Sequence, residues 1–173
     1  TTIRTHRIND LLYVLNQSTT MEFIDVSDVL NPVHHDGPTL LSPITSVVDH
    51  HGMIIATDSD GAIIELAMNG IYPIGIARTT MNHGGMADLA TSAHLLASTP
   101  VGIATIALRD WSRLTTPDVF DTNQYMNKLT VSDRHAVYVY SHDHIQVIRI
   151  NNYGQMSYAG SLEMDSPVQS LAF

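Results

Sequence analysis

Ten histidines stand among the 173 residues, and several sit beside aspartate in short polar stretches. Imidazole and carboxylate together suit a divalent ion such as zinc, iron or manganese. Ser141-His142-Asp143-His144 is the densest such stretch, and His34-His35-Asp36 and His83 are the other candidates. The sequence calls for no cofactor; the alternative is a divalent metal, for which the candidate ligands are His142, His144, Asp143, His34, His35 and His83. None of these spacings matches His-Glu-x-x-His, and a His-Asp pair equally suits a two-residue hairpin turn that points into water. His50 and His51 read as turn residues. Asp58-Ser59-Asp60-Gly61 opens like a calcium loop, but such a loop needs Glu at its twelfth position, where this chain has Asn69. Its Asp-Gly end is instead a hairpin signal, because Gly takes the positive φ that the turn requires. Asn82-His83-Gly84-Gly85 has the look of an oxyanion loop without a serine to serve, and reads as a connection. There is no Gly-x-Ser-x-Gly and no phosphate-binding Gly-Lys loop, so no catalytic residue is assigned.

Composition narrows the function classes. A net charge of −9 and a pI near 5.4 lack the basic stripe that nucleic acid requires. No apolar run approaches the roughly 20 residues of a membrane-spanning helix. The absence of cysteine removes disulfides, thiolate metal sites and thiol nucleophiles. Apolar residues make up 44% and charged residues only 14%. That is too apolar for a disordered chain, and low enough in charge to suggest that some surface is covered by a partner or by further chain.

The elements that must position these residues recur. Leu11–Leu15 with Met21–Val26, Met53–Thr57 with Ala62–Leu66, Leu95–Ser98 with Gly102–Leu108, and Ala136–Ser141 with His144–Ile150 are four strand–turn–strand units. Aligned on Met21, Ile63, Ala104 and Gln146, they are spaced by 42, 41 and 42 residues. A short apolar run precedes each unit (Ile3–Ile8, Ile44–Val48, Met86–Thr91, Lys128–Val131). A more polar run follows each (Pro32–His34, Tyr72–Ala77, a poor match at Leu114–Phe120, Met156–Leu162). One local competitor is a helix over Met86–Ala97, where apolar residues fall at helical spacing; the register of the third repeat asks for strands there instead.

Four strands per period of about 42 residues is the pattern of a β-propeller blade. The chain resembles WD40-type propellers in period and strand order, most clearly from Pro43 through Leu66 and again at Ser166–Phe173. Leu12-Tyr13-Val14 through Asn31-Pro32-Val33 is also similar to the LVIVD class of repeat. The Trp-Asp dipeptide of WD40 repeats is absent; the one tryptophan, Trp111, is followed by Ser112. The expected fold is all-β, with blades near residues 3–36, 44–77, 86–120 and 128–162, and 168–173 starting a further blade. The blades form one propeller domain or a fragment of one. The abrupt apolar end favours a piece of a ring of roughly six to eight blades over a small ring with one redundant strand. The function this implies is a scaffold for protein partners, because rims of several loops can engage several surfaces. The alternatives are a metal-dependent propeller hydrolase or lactonase with a His/Asp site near the central channel, and an extracellular adhesin.

Overall fold

Residues 4–69, 72–80, 88–91, 94–106, 119–122, 128–132, 135–140, 143–168 and 171 are described in the computed structural model. The described residues form strands, turns and bends, with no helix among them. The chain divides into two compact units, Thr1–Thr80 and Met81–Phe173.

The first unit holds two four-stranded antiparallel sheets. One is β1 (Arg4–Ile8), β2 (Leu11–Leu15), β3 (Thr20–Asp25) and β4 (Val33–Thr39), in that spatial order. The other is β5 (Ile44–His50), β6 (Met53–Asp58), β7 (Ala62–Asn69) and β8 (Tyr72–Thr80). In β2, Leu11, Tyr13 and Leu15 are buried while Leu12 and Val14 are half-buried, the period-two alternation of a strand with one core face. That face, with Met21 and Phe23 of β3, packs on Ile44, Val47, Ile54, Ala56, Ala62, Ile64 and Leu66 of the second sheet.

The second unit repeats the plan with β9 (Leu89–Thr91), β10 (Leu95–Thr99), β11 (Gly102–Ile106) and β12 (Val119–Asp121), then β13 (Lys128–Ser132), β14 (His135–Tyr140), β15 (His144–Ile150) and β16 (Met156–Glu163). Its core joins Ala90, Leu96 and Ile103 to Leu129, Ala136, Tyr138, Ile148 and Ile150, flanked by Phe120, Val131 and Met156. Asp88 ties the two sheets: its carboxylate accepts from the Leu129 amide at 3.3 Å and from the Leu89 amide at 3.0 Å. Its carbonyl accepts from the Ser98 amide at 3.0 Å.

Each sheet thus has four sequential antiparallel strands, the arrangement of a propeller blade. Within Met86–Ala97 the described residues include β9 and the start of β10, and none of them is helical. Register shifts between the third and fourth strands recur in three blades, at Thr20/Glu22, Glu65/Leu66 and Val147/Ile148. Such bulges increase the local twist of an outer strand. The stretch 168–173 is described only at Val168 and Leu171, neither of which is in a strand.

The turns follow their residues. His51 and Gly52 have φ of 53° and 83° between the paired His50 and Met53, as a two-residue type I′ hairpin turn requires. His50 itself is therefore not a turn residue; it ends β5 and is buried. At Asp58–Gly61 the buried carboxylate of Asp58 accepts from the Asp60 and Ala62 amides at 3.0 and 2.8 Å. Gly61 takes a φ of 84°. Asp58 organises a hairpin there, and a calcium loop is not formed.

Candidate functional site

The six candidate metal ligands fall in different places. His34 and His35 both lie inside β4, opposite Ile24 and Phe23 of β3. Adjacent residues of a strand point to opposite faces, so the two rings do not share a site. His35 stacks on Phe23, with centroids 5.2 Å apart and an interplanar angle of 23°. His34 faces the other way, and its Nε2 lies 3.2 Å from the Glu22 carboxylate. Glu22 also accepts from the Asn16 amide at 2.7 Å. That hydrogen bond first, and His34 second, hold the Glu22 carboxyl below its ordinary pKa.

Asp143 and His144 stand together at the start of β15, where the Asp143 carboxylate lies 2.7 Å from His144 Nδ1. The last pair of this hairpin is Tyr140 with His144, so the connection has three residues rather than the two expected from the sequence. His142 and His83 lie outside the described residues. Among the described residues, no three His, Asp or Glu side chains gather as a metal site would require. The Asp143–His144 pair can fix one imidazole tautomer.

A different arrangement occupies the opposite end of the last sheet. There a cleft of about 540 Å³ is lined by His135, Arg149, Ile150, Asn151, Asn152 and Tyr153. His135 opens β14 and pairs directly with Arg149 near the end of β15. Directly opposed residues share a face of a sheet. Ile148 and Ile150, on either side of Arg149, are buried in the core, and the alternation carries Arg149 outward into water.

The loop that completes the cleft is held by its own chemistry. Asn151 Oδ1 accepts from the Tyr153 and Gln155 amides, both at 2.9 Å. The Asn151 side-chain amide donates to Gln155 Oε1 at 2.8 Å. Gly154 takes a φ of 80° and donates to the Asn151 carbonyl at 3.0 Å. The neighbouring sheet clamps the same loop: Thr105 Oγ1 donates to the Gly154 carbonyl at 3.1 Å, and His94 Nε2 lies 3.2 Å from the Asn151 carbonyl. A carbonyl can only accept, so His94 donates from Nε2. The loop is thereby fixed while the Tyr153 ring stays 90% exposed.

Arg149 had no signal in the sequence beyond being one of only eight Lys and Arg residues. Tyr153 falls in a stretch late in the sequence that also holds Met156, Tyr158 and Met164. Tyr158 and Leu162 are both 57% exposed on the outer strand β16, and Met164 follows it. A second group of exposed apolar residues, Val29, Leu30 and Val33, lies at the β3–β4 connection of the first unit.

With this geometry in view, known structures can be compared. The chain matches the Swd1 β-propeller domain of Myceliophteria thermophila with a TM-score of 0.71 at 13% identity, over 92% of this chain and 57% of that one. The sheets are β-propeller blades. A Bacteroides fragilis protein assigned as a 6-phosphogluconolactonase matches with a TM-score of 0.74 at 13% identity, over 96% of this chain and 55% of that one. The computationally designed protein Ika8 matches with a TM-score of 0.70 at 12% identity, over 99% and 52% of the two chains. The chain thus spans about half the length of these propeller neighbours. At such identities the likeness establishes the fold and no shared activity. No protein-family model matches the sequence, and no curated protein matches it.

Proposed function

We propose that these blades serve as a scaffold for protein partners and carry out no catalysis of their own. The observation that carries the reading is the set of exposed aromatic and aliphatic side chains on the last blade: Tyr153 at its loop, and Tyr158, Leu162 and Met164 along and beyond β16. Tyr and Met are enriched at the centres of protein interfaces, and large apolar side chains left exposed on an outer strand are available for docking. The same reading treats the four blades as part of a larger ring, consistent with neighbours roughly twice as long.

A second reading is a metal-dependent propeller hydrolase or lactonase. It is favoured by the Asp143–His144 pair and by the lactonase assignment of one structural neighbour. The two separate in one purification. Tagged protein is isolated from its native cells without chelators, then analysed for metal by mass spectrometry and for co-purifying proteins. The scaffold reading expects a reproducible set of partners that is lost from a Tyr158→Glu, Leu162→Glu variant, with metal well below one equivalent. Stoichiometric bound metal together with lactone hydrolysis, and partner capture unaffected by the variant, would overturn it.

A further inference from the structure

We infer that the cleft between β14, β15 and the Asn151–Gly154 loop is a carboxylate-recognition site, and that its occupant is an acidic peptide segment of a partner protein. The inference rests on the scaffold reading and names the chemistry of one of its contacts. Three observations carry it.

The first is charge. Arg149 and His135 stand opposite one another on a single face, and among the described residues neither has a carboxylate within ion-pair distance. The Arg149 guanidinium is thus open to an acidic group brought by a ligand. A planar guanidinium meets a carboxylate with two parallel N–H···O bonds, a geometry that lysine cannot reproduce.

The second is preorganisation. The Asn151 side chain fixes the loop through three hydrogen bonds, and Thr105 and His94 anchor it from the adjoining sheet. A ligand that docks there does not have to order the loop, and so keeps more of its contact energy as affinity.

The third is the kind of surface. Asn152 contributes an amide, and Tyr153 offers a 90% exposed ring beside Arg149 and His135. An exposed Tyr next to Arg suits a peptide, whose backbone and side-chain methylenes cover the ring while a Glu or Asp carboxylate meets the guanidinium. Leu162 lies opposite Ile145 and so on the Arg149 face, where a peptide leaving the cleft meets a further exposed apolar side chain.

The test is fluorescence anisotropy with the whole chain and a labelled, acetylated Gly-Glu-Glu-Glu-Gly peptide amide. Its Gln counterpart and free glutarate serve as unlabelled competitors. The Glu peptide is expected to compete at least about tenfold better than the Gln peptide, with Arg149→Gln weakening binding about tenfold and Arg149→Lys less. Tyr153→Ala is expected to weaken it about threefold through lost contact area. Arg149 is exposed, so its variants should keep the wild-type melting temperature; if Arg149→Gln does not fold, Arg149→Lys and Tyr153→Ala decide. Equal binding by the Gln peptide, or variants that bind like wild type, would overturn the inference. Glutarate competing as well as the Glu peptide would also overturn it, because the site would then select a free small acid. Failure here with native partners still captured removes the cleft alone. Bound catalytic metal removes the scaffold reading whatever the peptide does.

Discussion

Tyr13 is 1% exposed, and burial pushes its phenol up to about 12. An unfolded tyrosine titrates near about 10. Below that value both states hold the proton and the packing of the phenol is fully stabilising. As pH rises from there toward the folded value, the unfolded chain loses its proton first, and stability falls with it, by roughly 2 kcal/mol in all. Denaturant unfolding of wild type and Tyr13→Phe at pH 9 and pH 11.5 measures this. Wild type should lose about 2 kcal/mol more than the variant over that range; equal losses would assign the alkaline instability to other groups. At this scale the sequence is a poor guide to partners. His34 and His35 read as a pair because they are adjacent, yet strand alternation sends one to Glu22 and the other onto the Phe23 ring. Arg149 is invisible for the opposite reason. Its significance depends on His135, fourteen positions away in sequence and directly opposite in the sheet.

At the scale of elements, repetition made most of the fold legible. Each unit alone is an ordinary apolar pair, but a constant spacing fixes which runs must be strands, and it decided correctly against the helix over Met86–Ala97. Strand ends were less legible. β4 runs on to Thr39, well past the Pro32–His34 run read from the sequence, and β12 is only Val119–Asp121. The pairing of β12 with β11 depends on Gly102, which lies opposite Asp121. A Cβ at Gly102 would come within 1.9 Å of the Phe120 carbonyl oxygen, and that oxygen is backbone that cannot swing aside. Gly102→Ala must therefore push β12 off its neighbour, withdrawing Phe120 from the flank of the second core. The expected cost is about 2–4 kcal/mol, read as a drop in urea midpoint. Amide exchange should be faster in β12 while β14 and β15 stay protected. A variant as stable as wild type would mean that β12 does not pack this closely in solution. Gly160, where an added Cβ meets nothing within 4 Å, provides the control.

For the whole molecule the informative quantity is charge. Seventeen acidic residues against eight basic ones keep copies apart at neutral pH, while the ten histidines, if all protonated, would just outweigh the net −9. A free imidazole gains a proton between pH 7.5 and pH 5.5. The long-range repulsion then largely disappears, at a pH where most carboxylates are still ionised. What remains on the surface is apolar: Val29, Leu30 and Val33 in one unit, Tyr153, Tyr158 and Leu162 in the other. The expected outcome is self-association at pH 5.5 and little at pH 7.5, measured by sedimentation velocity at a fixed moderate ionic strength. Repulsion screened by added salt should raise association at pH 7.5 in the same direction. Leu162→Glu separates the two contributions, because it both removes an apolar contact and restores a negative charge. If loss of repulsion exposes the outer strand to a second copy, this variant stays dispersed at pH 5.5 while Gln17→Glu, the same added charge at an exposed turn of the other unit, does not. Equal rescue by both would mean that charge alone governs association. Identical sedimentation at the two pH values would show that the histidines do not control it at all.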